Sequence, residues 1–127
     1  MMHHLELNVS DLERSSAFWG WLLEWLGHAP HMQWERGRSW MVDGIELAFV
    51  QTAPRHLAAP FHRGQTGLNH LAFRARSREQ VDQLTSALRE RGVEVLYAAQ
   101  HPFAGGPDYY AVFFEDPDRI KVELVAP

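Results

Sequence analysis

Four side chains in this 127-residue sequence are of the types that hold a divalent ion and stand at matching places along it: His4, Glu46, His70 and Glu123. Two imidazoles and two carboxylates form a nitrogen and oxygen donor set suited to Zn, Ni, Co, Mn or Fe(II), with coordination positions left for water or substrate. Taken singly, a strand histidine or glutamate is more often hydrogen-bonded or solvated than a ligand. The joint pattern carries the argument. Each of the four alternates with apolar residues that must pack against a helix, so all four fall on faces turned away from the core.

The elements that must position them follow from periodicity. Leu5, Leu7 and Val9 share one face of an opening strand, and His4, Glu6 and Asn8 share the other; His3 is expected to point away from His4. Ser10 or Asp11 caps a helix over about 12–26, where Leu12, Trp19, Leu22, Leu23 and Leu26 form the buried stripe and Gly27 ends the run. A second apolar line, Phe18, Trp21 and Trp25, suits a subunit interface or contact with another part of the chain. Short strands are expected over 31–35, 39–42 and 45–51, the last two joined by an Asp43-Gly44 hairpin turn. Within 45–51, Glu46 lies opposite Ile45, Leu47 and Phe49.

Periodicity is lost over 53–67, where Pro54, Pro60, Gly64 and Gly67 accumulate, and then the opening pattern returns. His70, Ala72 and Arg74 alternate with Leu71 and Phe73, Ser77 caps a helix over about 78–91, and Gly92 closes it. Strands over 93–98, 109–115 and 119–125 complete the second half, with Glu123 opposite Ile120, Val122 and Leu124. The chain therefore reads as an α+β domain over 1–127 built by internal repetition: one module over about 1–52, a linker over about 53–67 and a second module over about 68–127.

A formal charge of −4 without basic runs points away from nucleic acid and anionic membranes and toward a small molecule as ligand. The absence of cysteine excludes disulfides, thiolate metal sites and cysteine nucleophiles. The most apolar segment, 18–26, is broken by Gly20 and Glu24 and is far shorter than the roughly 20 residues of a membrane span. With no signal-like start, a cytoplasmic protein is expected. No nucleotide cofactor is expected.

The stretches His4-Leu5-Glu6-Leu7-Asn8-Val9-Ser10-Asp11, Leu26-Gly27, Gly44-Ile45-Glu46-Leu47, Asn69-His70-Leu71-Ala72-Phe73 and Phe114-Glu115-Asp116-Pro117-Asp118 through Lys121-Val122-Glu123-Leu124 carry a resemblance over nearly the whole chain. It resembles the vicinal oxygen chelate superfamily of glyoxalases, bleomycin resistance proteins, fosfomycin resistance enzymes and extradiol dioxygenases. The resemblance implies two βαβββ modules forming a curved mixed-sheet cleft around one divalent transition metal, often completed by a homodimer. It matches His4, Glu46, His70 and Glu123 to a glyoxalase I-like ligand set. Glu46 is the discriminating residue, since the fosfomycin and extradiol members need only the counterparts of His4, His70 and Glu123. Glutathione-using glyoxalases usually carry an arginine where this chain has Asn8. Glu6 on the same face would repel the same anion, so the resemblance points away from glutathione. Arg119 also departs from the pattern, which commonly has glycine at that place in the turn.

Such a centre implies glyoxalase-like lyase or isomerase chemistry: a metal polarises a substrate oxygen while a carboxylate, Glu123 first and Glu46 second, removes a proton from the adjacent carbon. Trp34, Trp40, Phe103, Tyr109 and Tyr110 are candidates to line the pocket, and Arg74 to meet an anionic substrate group. The alternatives are an extradiol-type dioxygenase and a metal-free protein that binds a drug or metabolite in the same cleft.

Overall fold

Alternation in the first residues becomes β1 (His4–Val9), in which His4, Glu6 and Asn8 are exposed while Val9 is buried. The Asp11 carboxylate accepts from the Arg14 backbone N–H at 3.1 Å and starts α1 (Leu12–Trp25). The helix ends at Gly27, whose φ is +92°, with the His28 N–H donating to the Leu23 carbonyl at 2.8 Å. Three strands follow, β2 (Ala29–Trp34), β3 (Gly37–Val42) and β4 (Ile45–Gln51). The hairpin between β3 and β4 turns on Asp43 and Gly44, both at positive φ (50° and 83°), the backbone that an Asp-Gly pair reaches at least cost.

In the first sheet the strand order is β1-β4-β3-β2, with β1 parallel to β4 and the other neighbours antiparallel. The helix α1 lies on one face of it. Trp19 stacks on Phe49 at 4.7 Å between ring centroids, Trp40 meets Phe49 edge-on, and Leu22, Leu23 and Trp19 are fully buried. Trp40 is thus part of this core, and the Trp34 ring lies against Gly37, where a Cβ would come within 2.0 Å of it. Trp40 lies on the face turned to α1, whereas Trp34 pairs with Gly37 and through it with Val50, so its ring lies on the opposite face, the one that carries His4 and Glu46. Phe18 is buried, whereas Trp21 and Trp25 are half-buried.

The second part of the chain repeats the plan in shortened form: β5 (Leu71–Arg74), α2 (Arg78–Glu90), β6 (Ala111–Glu115) and β7 (Lys121–Val125). The Ser77 hydroxyl accepts from the Gln80 N–H at 3.2 Å, and the Gln80 side chain accepts from the Arg76 N–H at 2.7 Å, a reciprocal start signal. The sheet order is β5-β7-β6, with β5 parallel and β6 antiparallel to β7. Val81, Leu84 and Leu88 of α2 bury against a sheet face made by Val112, Phe114, Val122 and Leu124. The strand expected over 93–98 reduces to one bridge, Val95 to Phe114. Tyr97, at φ +54°, turns the backbone away before a second bridge can form.

The structure, a computed structural model, describes Met1–Pro127, which divides into two compact units, Met1–Pro60 and Phe61–Pro127. The division falls inside the proline- and glycine-rich stretch 53–67, whose only regular structure is one 3-10 turn, Pro54–His56. No helix is long and apolar enough to cross a membrane.

Candidate functional site

In the first unit, parallel pairing of β1 and β4 sets His4 directly beside Glu46, so the two share the sheet face opposite α1. Glu6 and Asn8 continue that face beside Ala48 and Val50. His4 is exposed and Glu46 half-buried. His3 lies before the strand and does not follow its alternation. Its ring meets that of His4 edge-on, with the two Nδ1 atoms 2.9 Å apart, one donating and the other accepting. The expectation that His3 points away from His4 is therefore corrected, and one ring nitrogen of His4 is engaged locally.

In the second unit, Glu123 pairs across β7 with Ala72 on one side and Phe113 on the other. Its side chain is 2% exposed, and both carboxylate oxygens have neighbours. Tyr109 Oη donates to Oε1, and His70 Nε2 lies 3.2 Å from Oε2. His70 stands one residue before β5, and its Nδ1 lies 2.7 Å from Asn69 Oδ1. Asn69 thereby orients the ring, and a proton on Nε2 or a metal ion between Nε2 and Oε2 makes the second contact attractive.

Tyr109 reaches Glu123 from the end of the loop over 99–108. Its ring lies over Gly105, where a Cβ would come within 2.2 Å of the ring. The Glu123 hydrogen bond, with smaller contributions from burial and the carboxylate's charge, pushes the Tyr109 phenol up to about 12, so it stays a donor at any physiological pH.

The other residues singled out in the sequence lie elsewhere. Tyr110 Oη donates to Asp82 of α2 at 2.5 Å, and Arg78 of the same helix lies over the Tyr110 ring at 4.9 Å and the Phe103 ring at 6.0 Å. Phe103 and Tyr110, 5.4 Å apart, thus gather around α2, while Tyr109 alone joins Glu123. Arg74 is exposed at the end of β5. Neither unit by itself brings together three or more His, Cys, Asp or Glu side chains able to hold an ion. Each contains one of the two histidine and glutamate pairs expected from the sequence, His4 with Glu46 and His70 with Glu123.

One cluster escaped the sequence reading. Lys121, two residues before Glu123 and on its face, donates from Nζ to Tyr97 Oη at 2.9 Å, with Nζ 4.9 Å from the Tyr97 ring centre and 5.1 Å from that of Phe113. The hydrogen bond from Lys121 outweighs burial and lowers the Tyr97 phenol below its ordinary value, with the charges of Lys121 and Arg63 adding to the effect. Period-two alternation along 119–125 already put Lys121 with Glu123, but nothing local announces Tyr97.

The sequence and the fold match a known class. The pattern of the Glyoxalase/Bleomycin resistance protein/Dioxygenase superfamily matches residues 1–124, and the chain belongs to that superfamily. It is 56% identical to the uncharacterized protein YqjT of Bacillus subtilis (strain 168) over 99% of this chain and 98% of that one. A crystal structure from Bacillus halodurans, described as a candidate glyoxalase, superposes with a TM-score of 0.98 at 58% identity, covering 100% of this chain and 96% of that one. The glutathione transferase FosA of Serratia marcescens is 29% identical over 97% of this chain and 78% of its own length.

Proposed function

We infer that this protein is a divalent-metal-dependent, glyoxalase-like lyase or isomerase of that superfamily, acting on a small oxygen-chelating substrate other than glutathione hemithioacetal. The observation that carries the reading is the His70–Glu123 pair: a buried carboxylate facing an imidazole nitrogen whose other nitrogen is already committed to Asn69. Two donors about 2.1 Å from one ion and roughly 90–109° apart lie about 3.0–3.4 Å from each other. The 3.2 Å between Nε2 and Oε2 suits two ligands of a single ion. We take His4 and Glu46, the matching pair of the first unit, as the other half of the set, and a homodimer as the working assembly.

When bound, the ion would act as a Lewis acid on a carbonyl or hydroxyl oxygen of the substrate. The residues of the chain divide the remaining work. Glu123, with Tyr109 on one oxygen and His70 against the other, is the less available base, because both of its oxygens are already engaged. Glu46 carries no such phenol and takes the role of moving the proton from one substrate carbon to the next. Glu6 and Asn8, exposed beside His4, offer no cation to a tripeptide carboxylate, which supports a substrate without glutathione.

The test is the metal content of protein purified without chelator. The reading expects near-stoichiometric transition metal, lost in His70→Ala and Glu123→Ala, and solvent deuterium incorporated next to a carbonyl during turnover of small α-hydroxy ketones. Persistent absence of metal after reconstitution would turn the reading toward a metal-free binding protein. Oxygen consumption with catechols would turn it toward a dioxygenase.

A further inference from the structure

The Lys121 ammonium has no carboxylate to neutralise it. Glu115, its direct cross-strand neighbour, gives one oxygen to Arg63 and the other to Arg119, each at 3.0 Å. Glu123, next along the same face, is held by Tyr109 and His70. Lys121 is left with the Tyr97 oxygen and two ring faces. Because Nζ donates to Tyr97 Oη, the phenol keeps its own proton for another acceptor.

These groups line an open surface pocket of about 390 Å³ formed by Tyr97, Gln100, Ala104, Phe113 and Lys121. That is within the size range of small-molecule pockets, and its walls combine apolar ring surface with a few convergent donors. Phe113 is the cross-strand partner of Glu123, so the pocket adjoins the His70–Glu123 pair on one sheet face. Two residues along a strand span about 6.7 Å, so the Cα atoms of Glu123 and Lys121 are neighbours on that face.

We propose that this pocket is the substrate's anion subsite: Lys121 and the Tyr97 hydroxyl bind a carboxylate or phosphate-type group on a small molecule whose chelating oxygens sit at His70 and Glu123. The proposal rests on the functional reading above for the chelating end, whereas the anion subsite itself needs no metal. It narrows the substrate to a small anion whose charged end and chelating oxygens reach neighbouring positions of one sheet face. An ammonium lying over two aromatic rings and short of a counter-ion is a stronger anion receptor than a lysine in open water, because part of its hydration is already replaced by ring surface.

The experiment is a titration of the full-length protein, as purified, with benzoate and with its neutral isostere benzamide, followed by amide chemical shifts and calorimetry, and repeated after chelator treatment. Benzoate should shift the resonances of Tyr97, Gln100, Phe113 and Lys121, with the same affinity before and after chelation, and benzamide should bind at least about tenfold more weakly. Lys121→Met and Lys121→Gln should lose a similar factor with metal content and melting temperature unchanged, and Lys121→Arg should retain binding. Equal binding of benzoate and benzamide, unchanged affinity in both Lys121 variants, shifts mapping outside the pocket, affinity that vanishes on chelation, or no binding at millimolar benzoate would each overturn the proposal. Metal content is measured separately, so failure of the metal reading leaves the benzoate result interpretable, and the reverse.

Discussion

His70 Nε2 faces Glu123 Oε2 at 3.2 Å while His70 Nδ1 is engaged by Asn69 Oδ1 at 2.7 Å. The first contact takes a proton or an ion between its two atoms, and the second orients the ring that presents it. Asn69→Leu frees the ring to rotate, so metal affinity should fall by about tenfold, the lower end of what loss of an orienting outer-shell contact costs, with little change in melting temperature. Competition with a chromophoric chelator measures it.

Tyr109 and Gly105 act through one contact. Tyr109→Phe removes the donor to Glu123 and should cost about 1 kcal/mol of stability in chemical denaturation. Gly105→Ala places a methyl where the Tyr109 ring lies and should displace the same hydroxyl from Glu123. The double variant should therefore cost less than the two single effects added.

The three tyrosines should ionise in separate steps. Tyr97 is lowered, first by its hydrogen bond from Lys121, so it ionises below the ordinary phenol range; Tyr109 and Tyr110 are raised by bonds to Glu123 and Asp82 and ionise late. Ultraviolet titration should show one early step that Tyr97→Phe removes and Lys121→Met moves upward. At neutral pH both folded and unfolded phenols are protonated, so the shift alters stability only in alkali.

Arg119 stands at a φ of +65°, a backbone conformation that glycine reaches at least cost. Its Nε donates to Glu115 Oε2 at 3.0 Å, which offsets part of the strain. Arg119→Ala keeps the strain and loses the bond, and should destabilise by about 0.5 kcal/mol, discounted for an exposed pair. Arg119→Gly also loses the bond but relieves a strain of about 1 kcal/mol, and should equal or exceed the native melting temperature.

Burial works to raise the Glu115 carboxyl, but hydrogen bonds and charge from Arg119 and Arg63 outweigh it, and its pKa is lowered. A carboxylate lowered on folding contributes stability that is fully present above its unfolded value of about 4.3 and is lost as pH falls through the lower folded value. Acid unfolding monitored by circular dichroism should begin at higher pH in Glu115→Gln, most clearly at low salt.

Much of this was legible in the sequence wherever a local repeat governs. Alternation in 4–9 and 45–51 placed His4 and Glu46 on the face turned from α1, and cap residues set both helix starts, Ser77 for α2 and, of the two candidates Ser10 and Asp11, Asp11 for α1. Where backbone leaves the repeat, legibility stops. Tyr97 sits at positive φ, which ends the strand expected over 93–98 and aims its phenol at Lys121, 24 residues away. Adjacent residues of an extended chain point opposite ways, so Tyr109 and Tyr110 could not both line one face. Only Tyr109 lies with Phe113 and Glu115 in period, and it is the one that reaches Glu123.

Anomalous diffraction from crystals grown with Zn or Ni tests the central claim most directly. The account predicts a single strong peak within bonding distance of both His70 Nε2 and Glu123 Oε2, absent in His70→Ala crystals. Diffraction at the metal edge with no peak there, and Nε2 still paired directly to Oε2, would contradict it.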